Sequence, residues 1–179
     1  MKGLVRLALI GCLLPCPAFA APPRLAAPVP AGISTRLPGA GYDPQNSFAR
    51  ILRGELPATK VYEDAHVLAF LSVNQEVAGH VLVISKTSRA RDILEIAPAD
   101  LDRIMRVAQR IARAERVALG ADGIEIVQNN GATAGQTVFQ FHVHVIPHWG
   151  SGGPISLPMD ATGRLDRSAL ASRLAAAMH

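Results

Sequence analysis

The chain has 179 residues, enough for one domain with a substantial core and too few for two ordinary domains. Its hydrophobic fraction of 49% would suit a membrane protein, but an N-terminal block accounts for much of the excess. The formal net charge of +4 falls to +2 without the basic residues Lys2 and Arg6, and no basic cluster with interleaved aromatic residues occurs, which argues against nucleic acid as a partner.

Residues 1–20 have the pattern of a secretory signal. A short basic region precedes an apolar run at 7–14, and Ala18-Phe19-Ala20 supplies the small residues of a cleavage site. We expect cleavage after Ala20 and export to the periplasm or the medium. The run is too short to span a bilayer stably, so no membrane partner is expected after cleavage. A lipoprotein processed at Cys12 is the alternative, because the preceding residues resemble a lipobox.

Both cysteines lie inside this segment, so the mature chain is expected to lack disulfides and thiolate ligands for zinc. Residues 21–44 hold six of the thirteen prolines and no periodic apolar pattern, which predicts a disordered leader. We expect the ordered domain to cover 45–150. Residues 151–179 are then a C-terminal loop and helix packed on that domain.

The first half of the domain predicts a short helix and three strands. NSFARILR, residues 46–53, has apolar side chains at helical spacing after a capping residue. The β-rich runs KVYED, VLAFLSV and HVLVIS follow, separated by turn-like residues, and predict an antiparallel meander.

The second half predicts a long helix over 98–119 that ends at Gly120. Its expected apolar positions are Leu101, Ile104, Met105, Ala108, Ile111, Ala112 and Val117. Two strands follow, GIEIVQNN and the segment 137–147, and a terminal helix is expected over 165–178. Five strands with helices inserted between groups of them predict an α+β fold on a mainly antiparallel sheet.

The segment 137–147 reads TVFQFHVHVIP and places two histidines on one face of a strand. Side chains alternate along a strand, so Phe141 points to the core while Gln140, His142 and His144 share the opposite face. Three interpretations are open. The histidines are simply solvated or packed, they bind a metal together with His148 or a distant carboxylate, or one imidazole is a nucleophile beside donors for an anionic group.

The preceding loop, NNGATAGQT, favours the third interpretation. Its flexible glycine backbone and its neutral side chains, Asn129, Gln136 and Thr137, can approach phosphate oxygens. It offers no carboxylate for a hard or borderline metal. We therefore expect neither a bound metal nor a cofactor.

QNNGATAGQTVFQFHVHVIP resembles the signature of the histidine triad (HIT) family of nucleotide hydrolases and transferases. The order of the preceding segments, from FARILRGELP through GHVLVISK to GADGIEIVQNNG, extends the likeness over about 46–149. The resemblance implies a homodimer with joined sheets and a nucleotide pocket in each subunit. It also implies that His142 forms a covalent nucleotidyl-histidine, that His144 helps to bind the phosphate, and that a nucleoside phosphoramidate, a dinucleoside polyphosphate or a related conjugate is hydrolysed.

The same resemblance places other residues in the site. Asn129, Gln136 and Thr137 correspond to positions around the phosphate and the leaving group. The nucleoside positions are Phe48, Ile51, Phe70, Ser72 and Val73, although ordinary core packing is the alternative for the four apolar ones. The chain departs from the family at Gln140, which replaces the first histidine, and at Ser72, where many members carry aspartate.

These two departures motivate a second hypothesis, an exported module that binds a nucleotide or another phosphorylated ligand without turnover. A third hypothesis is a metal-binding protein that uses His142, His144 and His148. NSFA stands where some members carry Cys-x-x-Cys, so no structural zinc is expected. His80 is interpreted as structural, and His148 as a loop residue or a substitute phosphate contact.

Overall fold

The computed structural model describes residues 41–73 and 77–178; the predicted signal and nearly all of the predicted leader lie outside these ranges. The strands are β1 (Lys60–Glu63), β2 (Val67–Leu71), β3 (Val81–Ser85), β4 (Gly123–Val127) and β5 (His142–His148). They form one sheet of order β1-β2-β3-β5-β4, and every neighbouring pair is antiparallel. The helices are α1 (Ser47–Leu52), α2 (Pro98–Leu119) and α3 (Arg167–Ala176). The predicted α+β class and antiparallel sheet are confirmed.

Strand alternation gives the sheet two different apolar faces. One face packs against α2 and α3 and contributes to a large buried cluster, here called the core cluster. Its strand residues include Val67, Ala69, Leu71, Val81, Val83, Val143 and Val145. The other face carries a small cluster, here called the site-face cluster, which consists of Phe48, Leu68, Phe70, Leu82 and Ile84.

Helix α2 has the bounds that its sequence predicts. Pro98 occupies the first turn, where a missing N–H is tolerated, and Gly120 ends the helix in the left-handed region at φ 65°. Two of its apolar positions are not buried, because Met105 and Val117 are 41% and 74% exposed. The helix carries apolar residues on adjoining stripes, and the sheet covers the one that contains Val107 and Ala114.

Strand β5 begins at His142, five residues later than predicted. The residues before it belong to the loop from β4, where the side-chain Nε2 of Gln136 donates to Val138 O over 3.1 Å. Phe141 N donates to Ala90 O over 2.8 Å, outside the strand ladder. The apolar alternation of this segment therefore continues into a loop whose backbone bonds are made elsewhere.

Helix α3 is shorter than predicted and begins after Asp166, whose side chain accepts from Ala169 N. It packs against α2, β1 and β2. Within the two described ranges, no helix has both the length and the apolarity that crossing a membrane requires.

Candidate active site

The site-face cluster forms an apolar floor beneath the histidines. Helix α1 places Phe48 on this floor, and its ring meets the Phe70 ring edge-on at a centroid distance of 5.8 Å. Asn46 fixes the start of α1, since its side-chain oxygen accepts from the N–H groups of Phe48 and Ala49 at 2.9 and 3.0 Å. The floor is thus made by β2, β3 and one short capped helix.

His142 lies on this floor, 4% exposed, opposite Ile84 of β3 and edge-on to the Phe48 ring at 4.9 Å. Its Nδ1 is 2.7 Å from the main-chain oxygen of Gln140. A carbonyl oxygen only accepts, so Nδ1 carries the proton of the neutral ring and Nε2 has a lone pair. Burial lowers the pKa of His142 and the charge of His80 adds to this effect, although the Gln140 carbonyl opposes it.

His144 and His80 share a hydrogen bond, with 2.8 Å between His144 Nδ1 and His80 Nε2. The His144 ring centroid lies 4.9 Å from that of His142. Burial, followed by the proximity of His142 and then His80, lowers the pKa of His144 to about 4. His80 was interpreted from sequence as structural, yet it belongs to this histidine cluster.

Gln140, two residues before His142 in the chain, is 1% exposed. Its side-chain Oε1 accepts a hydrogen bond from the Tyr42 hydroxyl over 2.8 Å. Its Nε2 has no hydrogen-bond partner among the described residues. Gln140 therefore touches His142 through its backbone and Tyr42 through its side chain.

The loop between β4 and β5 is braced by Gln136. Its Oε1 accepts from Gly131 N over 2.8 Å and its Nε2 donates to Arg91 O over 2.6 Å. Gln136 is 3% exposed and its amide hydrogen-bonds to backbone atoms, so it stabilises the loop. Thr137 is exposed and Asn129 is half-buried, and the Asn129 amide makes no side-chain hydrogen bond within the described part of the chain.

The five residues matched to a nucleoside pocket divide into two groups. Phe48 and Phe70 are 6% and 2% exposed within the site-face cluster, and half-buried Ile51 packs against it. Ser72 is buried just beyond β2, whereas Val73 is 76% exposed. The structure therefore brings the aromatic residues and Ile51 together and leaves Val73 at the surface.

Arg167, at the start of α3, contacts this region although it lies 94 residues from Val73. Its guanidinium donates to Val73 O and to Leu71 O, each over 3.2 Å. These two carbonyls flank Ser72. No sequence pattern links the segments, so reasoning from sequence missed this contact.

His148 lies apart from the other histidines. Its Nε2 is 2.9 Å from Glu125 Oε2 on β4, and both side chains are exposed. In the described ranges, no group of three His, Cys, Asp or Glu side chains is arranged to hold a metal ion.

The α+β fold on an antiparallel five-stranded sheet is shared with solved structures of histidine triad (HIT) family proteins. A family model described as the HIT domain matches residues 53–150. The chain belongs to the HIT family.

Named relatives agree with this assignment. "Protein hit" of Bacillus subtilis (strain 168) is 42% identical over 105 residues, which is 59% of this chain and 72% of that protein. A Hit-like protein involved in cell-cycle regulation from Bartonella henselae is 34% identical with a TM-score of 0.66, over 76% of this chain and 99% of that one. A hypothetical histidine triad nucleotide-binding protein from Sulfolobus tokodaii strain7 is 29% identical with a TM-score of 0.65, over 73% and 90%.

Proposed function

We propose that this protein hydrolyses nucleoside phosphoramidates, dinucleoside polyphosphates or related nucleotide conjugates through a covalent nucleotidyl-histidine at His142. The observation that carries the proposal is the 2.7 Å hydrogen bond from His142 Nδ1 to Gln140 O. It leaves the Nε2 lone pair available for attack, and the lowered pKa of His142 keeps the ring neutral near pH 7. The nucleotide-binding relative from Sulfolobus tokodaii supports a nucleotide as the ligand.

The proposed reaction has two displacements at the α-phosphorus. In the first, His142 Nε2 forms an N–P bond while the P–N or P–O bond to the leaving group breaks, and that group departs with the electron pair and takes a proton from water. In the second, water attacks phosphorus, the N–P bond breaks and a nucleoside monophosphate is released. The Gln140 carbonyl accepts from Nδ1–H throughout and stabilises the positive charge of the intermediate ring.

The neighbouring side chains support binding of the phosphate. When His80 donates its Nε2 proton to His144 Nδ1, His144 carries its own proton on Nε2 and can donate it to a phosphate oxygen. Gln140 cannot be protonated as the histidine of other members can, so stabilisation of phosphate charge is weaker. Ser72 offers one hydroxyl where an aspartate would hold two ribose hydroxyls, which lowers affinity for ribonucleotides.

The test compares His142→Ala with His148→Ala, a matched histidine variant on the same strand. Each protein is incubated with an adenosine phosphoramidate and with a dinucleoside polyphosphate. Released adenosine monophosphate is measured, together with the mass of the alkali-quenched protein. We expect turnover and an adenylylated protein from the wild type and from His148→Ala, and neither from His142→Ala.

Two results contradict the enzyme proposal. Turnover by His142→Ala at the wild-type rate would exclude His142 as the nucleophile. If the wild type binds adenosine monophosphate but releases no product from either substrate, the non-catalytic nucleotide-binding module becomes the better account. The departures at Gln140 and Ser72 are the observations that favour that second function.

We also propose that two copies pair through β4 and α2. β4 is an edge strand of the described sheet, and a groove of about 590 Å³ lies between it and α2. Met105 and Ile126 line this groove and are 41% and 44% exposed. A second copy related by a twofold axis would extend the sheet antiparallel and cover these side chains.

Light scattering after size exclusion tests this arrangement on Ile126→Lys and on Val117→Lys, a control at an exposed valine of α2 outside the groove. The wild type and Val117→Lys should be dimers, and Ile126→Lys should be a monomer. A dimeric Ile126→Lys would contradict the proposed interface.

Finally, we propose that the protein is exported, on the strength of the signal pattern in residues 1–20 alone. N-terminal sequencing of protein from fractionated cells tests this. A mature chain that starts at Ala21 outside the cytoplasm is expected, and an uncleaved cytoplasmic chain contradicts the proposal. A chain that starts at Cys12 would indicate lipoprotein processing instead.

A further inference from the structure

The segment before α1 reaches the floor of the candidate active site. The hydroxyl of Tyr42 donates to Gln140 Oε1 over 2.8 Å, although the two residues are 98 positions apart. The family match begins at residue 53, so Tyr42 lies outside it. The residue also falls within the segment 21–44 that the sequence assigned to a leader.

Tyr42 is held by a turn that is tied to α1. Asp43 O accepts from the side-chain Nδ2 of Asn46 over 2.6 Å, and Pro44 O accepts from Arg53 Nη1 over 2.6 Å. Asn46 is also the residue that caps α1. The Tyr42 hydroxyl therefore approaches Gln140 from a fixed turn.

Gln140 connects Tyr42 to His142. Its side-chain Oε1 accepts a hydrogen bond from the Tyr42 hydroxyl, and its main-chain oxygen accepts one from His142 Nδ1–H. We propose that Tyr42 is a positioning residue, which fixes Gln140 and, through the Gln140 carbonyl, sets the orientation and tautomer of the His142 ring. The predicted effect on turnover rests on the proposed function, whereas the predicted effect on the His142 tautomer does not.

Because the Gln140 side chain is buried, no other group in the described part of the chain is at hand to replace the hydrogen bond from the Tyr42 hydroxyl. Gln140 is 1% exposed, and its Nε2 already has no partner within the described ranges. Loss of the hydroxyl leaves both ends of a buried amide unpaired, which favours rotation of the side chain or entry of water. Either change displaces the residue whose carbonyl holds His142, and attack on phosphorus depends on alignment of the ring.

The test uses Tyr42→Phe, which removes one oxygen, and Tyr62→Phe as the matched control. The chain has two tyrosines, and the Tyr62 hydroxyl bonds to Asp64 on the surface, with its ring packed against the core cluster. The first measurement is the ¹⁵N spectrum of the histidine rings at pH 7, which reports the tautomer of His142 without substrate. We expect a single Nδ1–H form in the wild type and in Tyr62→Phe, and a mixture of tautomers in Tyr42→Phe.

The second measurement is a double-mutant cycle with Gln140→Met, which keeps the length of the side chain without its amide. We expect kcat to fall about tenfold in Tyr42→Phe with little change in KM, and no further fall when Tyr42→Phe is added to Gln140→Met. An unchanged His142 tautomer in Tyr42→Phe, or an equal effect of Tyr42→Phe in both backgrounds, overturns the inference. If the wild type has no turnover, the proposed function fails while the ring spectra still decide this inference.

Discussion

The two faces of the sheet are covered in different ways. Helices α2 and α3 close one face over a continuous apolar core, with 22 residues in α2 alone. The other face is covered by α1, a helix of six residues, and by a loop. Its small apolar floor leaves space for His142, His144 and Gln140, which are all on that side.

This difference places the larger apolar core on one face and the proposed active site on the other. The α2 and α3 side buries the larger set of apolar side chains, whose removal from water stabilises the fold, and buried polar side chains are rare there. On the other face the polar groups make hydrogen bonds to backbone atoms and to each other, apart from Gln140 Nε2, which has no partner among the described residues. The comparison predicts that matched substitutions on the two faces have different consequences.

The largest effect is expected from truncation of buried isoleucines. Ile111 on α2 and Ile84 on β3 are both 0% exposed, but Ile84 lies opposite His142. Each change to Ala should lower the free energy of unfolding by about 2–5 kcal/mol, measured by urea denaturation. Turnover per folded molecule should fall in Ile84→Ala and stay unchanged in Ile111→Ala. A similar loss of turnover in both would contradict the separation of the faces.

The second effect concerns Glu115, an exception within the α2 face. Its carboxyl is 0% exposed, neither oxygen has a hydrogen-bond partner in the described residues, and burial raises its pKa to about 9. The folded chain keeps this proton while the unfolded chain releases it near pH 4.5, so stability falls as pH rises from about 4.5 to about 9. By pH 7 the loss is on the order of 3 kcal/mol.

Urea denaturation of Glu115→Leu at pH 5, 7 and 8.5 measures this effect. The variant should be more stable than the wild type, by an increment that grows with pH. Glu125→Gln, at an exposed glutamate, serves as the control and should show little change. An increment that is constant across pH would mean that Glu115 is ionised in the folded protein.

On the face of the sheet that carries His142 and His144, the prediction concerns activity at acid pH. The pKa of His144 is lowered to about 4 and that of His142 is lowered as well, from an ordinary value of 6.5. Both rings therefore stay neutral as pH falls below 6.5, and kcat/KM should be maintained below pH 6.5 and be lost by about pH 4, where His144 becomes protonated. A pH–rate profile and an NMR titration of the two rings check this. Apparent pKa values of 6.5 for both rings would contradict it.

The smallest effect is expected from Arg167, which contacts the turn around Ser72. Arg167→Ala removes the donors to Leu71 O and Val73 O and should loosen the turn that carries Ser72. We expect KM for a nucleotide substrate to rise about threefold with kcat unchanged, as for the loss of a partly exposed hydrogen bond. Arg173→Ala is the control, because Arg173 on the same helix donates to Ser156 O. Equal KM values in the two variants would remove Arg167 from the site.

The elements were predictable from sequence where their periodicity was unambiguous. α2 has both a Pro at its start and a Gly at its end, so its bounds follow from local chemistry. Its buried face was harder to predict, since alanines such as Ala114 and Ala118 are as compatible with solvent as with a core. The start of β5 was missed because Phe139 and Phe141 extend the apolar alternation of Val143 into a loop.

The candidate site was predictable to the extent that it lies on one strand. The packing of His142 against Phe48 and its position opposite Ile84 depend on contacts between distant segments. Tyr42 and Arg167 had no local signal. His80 did have one. It precedes β3 with the same parity as Leu82 and Ile84, which puts it on the face of the histidines once β3 is paired with β5.

The turn before His80 restricts how this family member can vary. Gly79 has φ +95°, and a Cβ atom added there would lie 2.6 Å from Leu119 Cδ1 and 3.1 Å from Pro147 Cγ. Side chains at the end of α2 and the end of β5 therefore pack against Gly79 and leave no room for a Cβ atom. In a library of random variants, position 79 should tolerate no residue but glycine, even though it lies in a turn, where variation is usually least restricted.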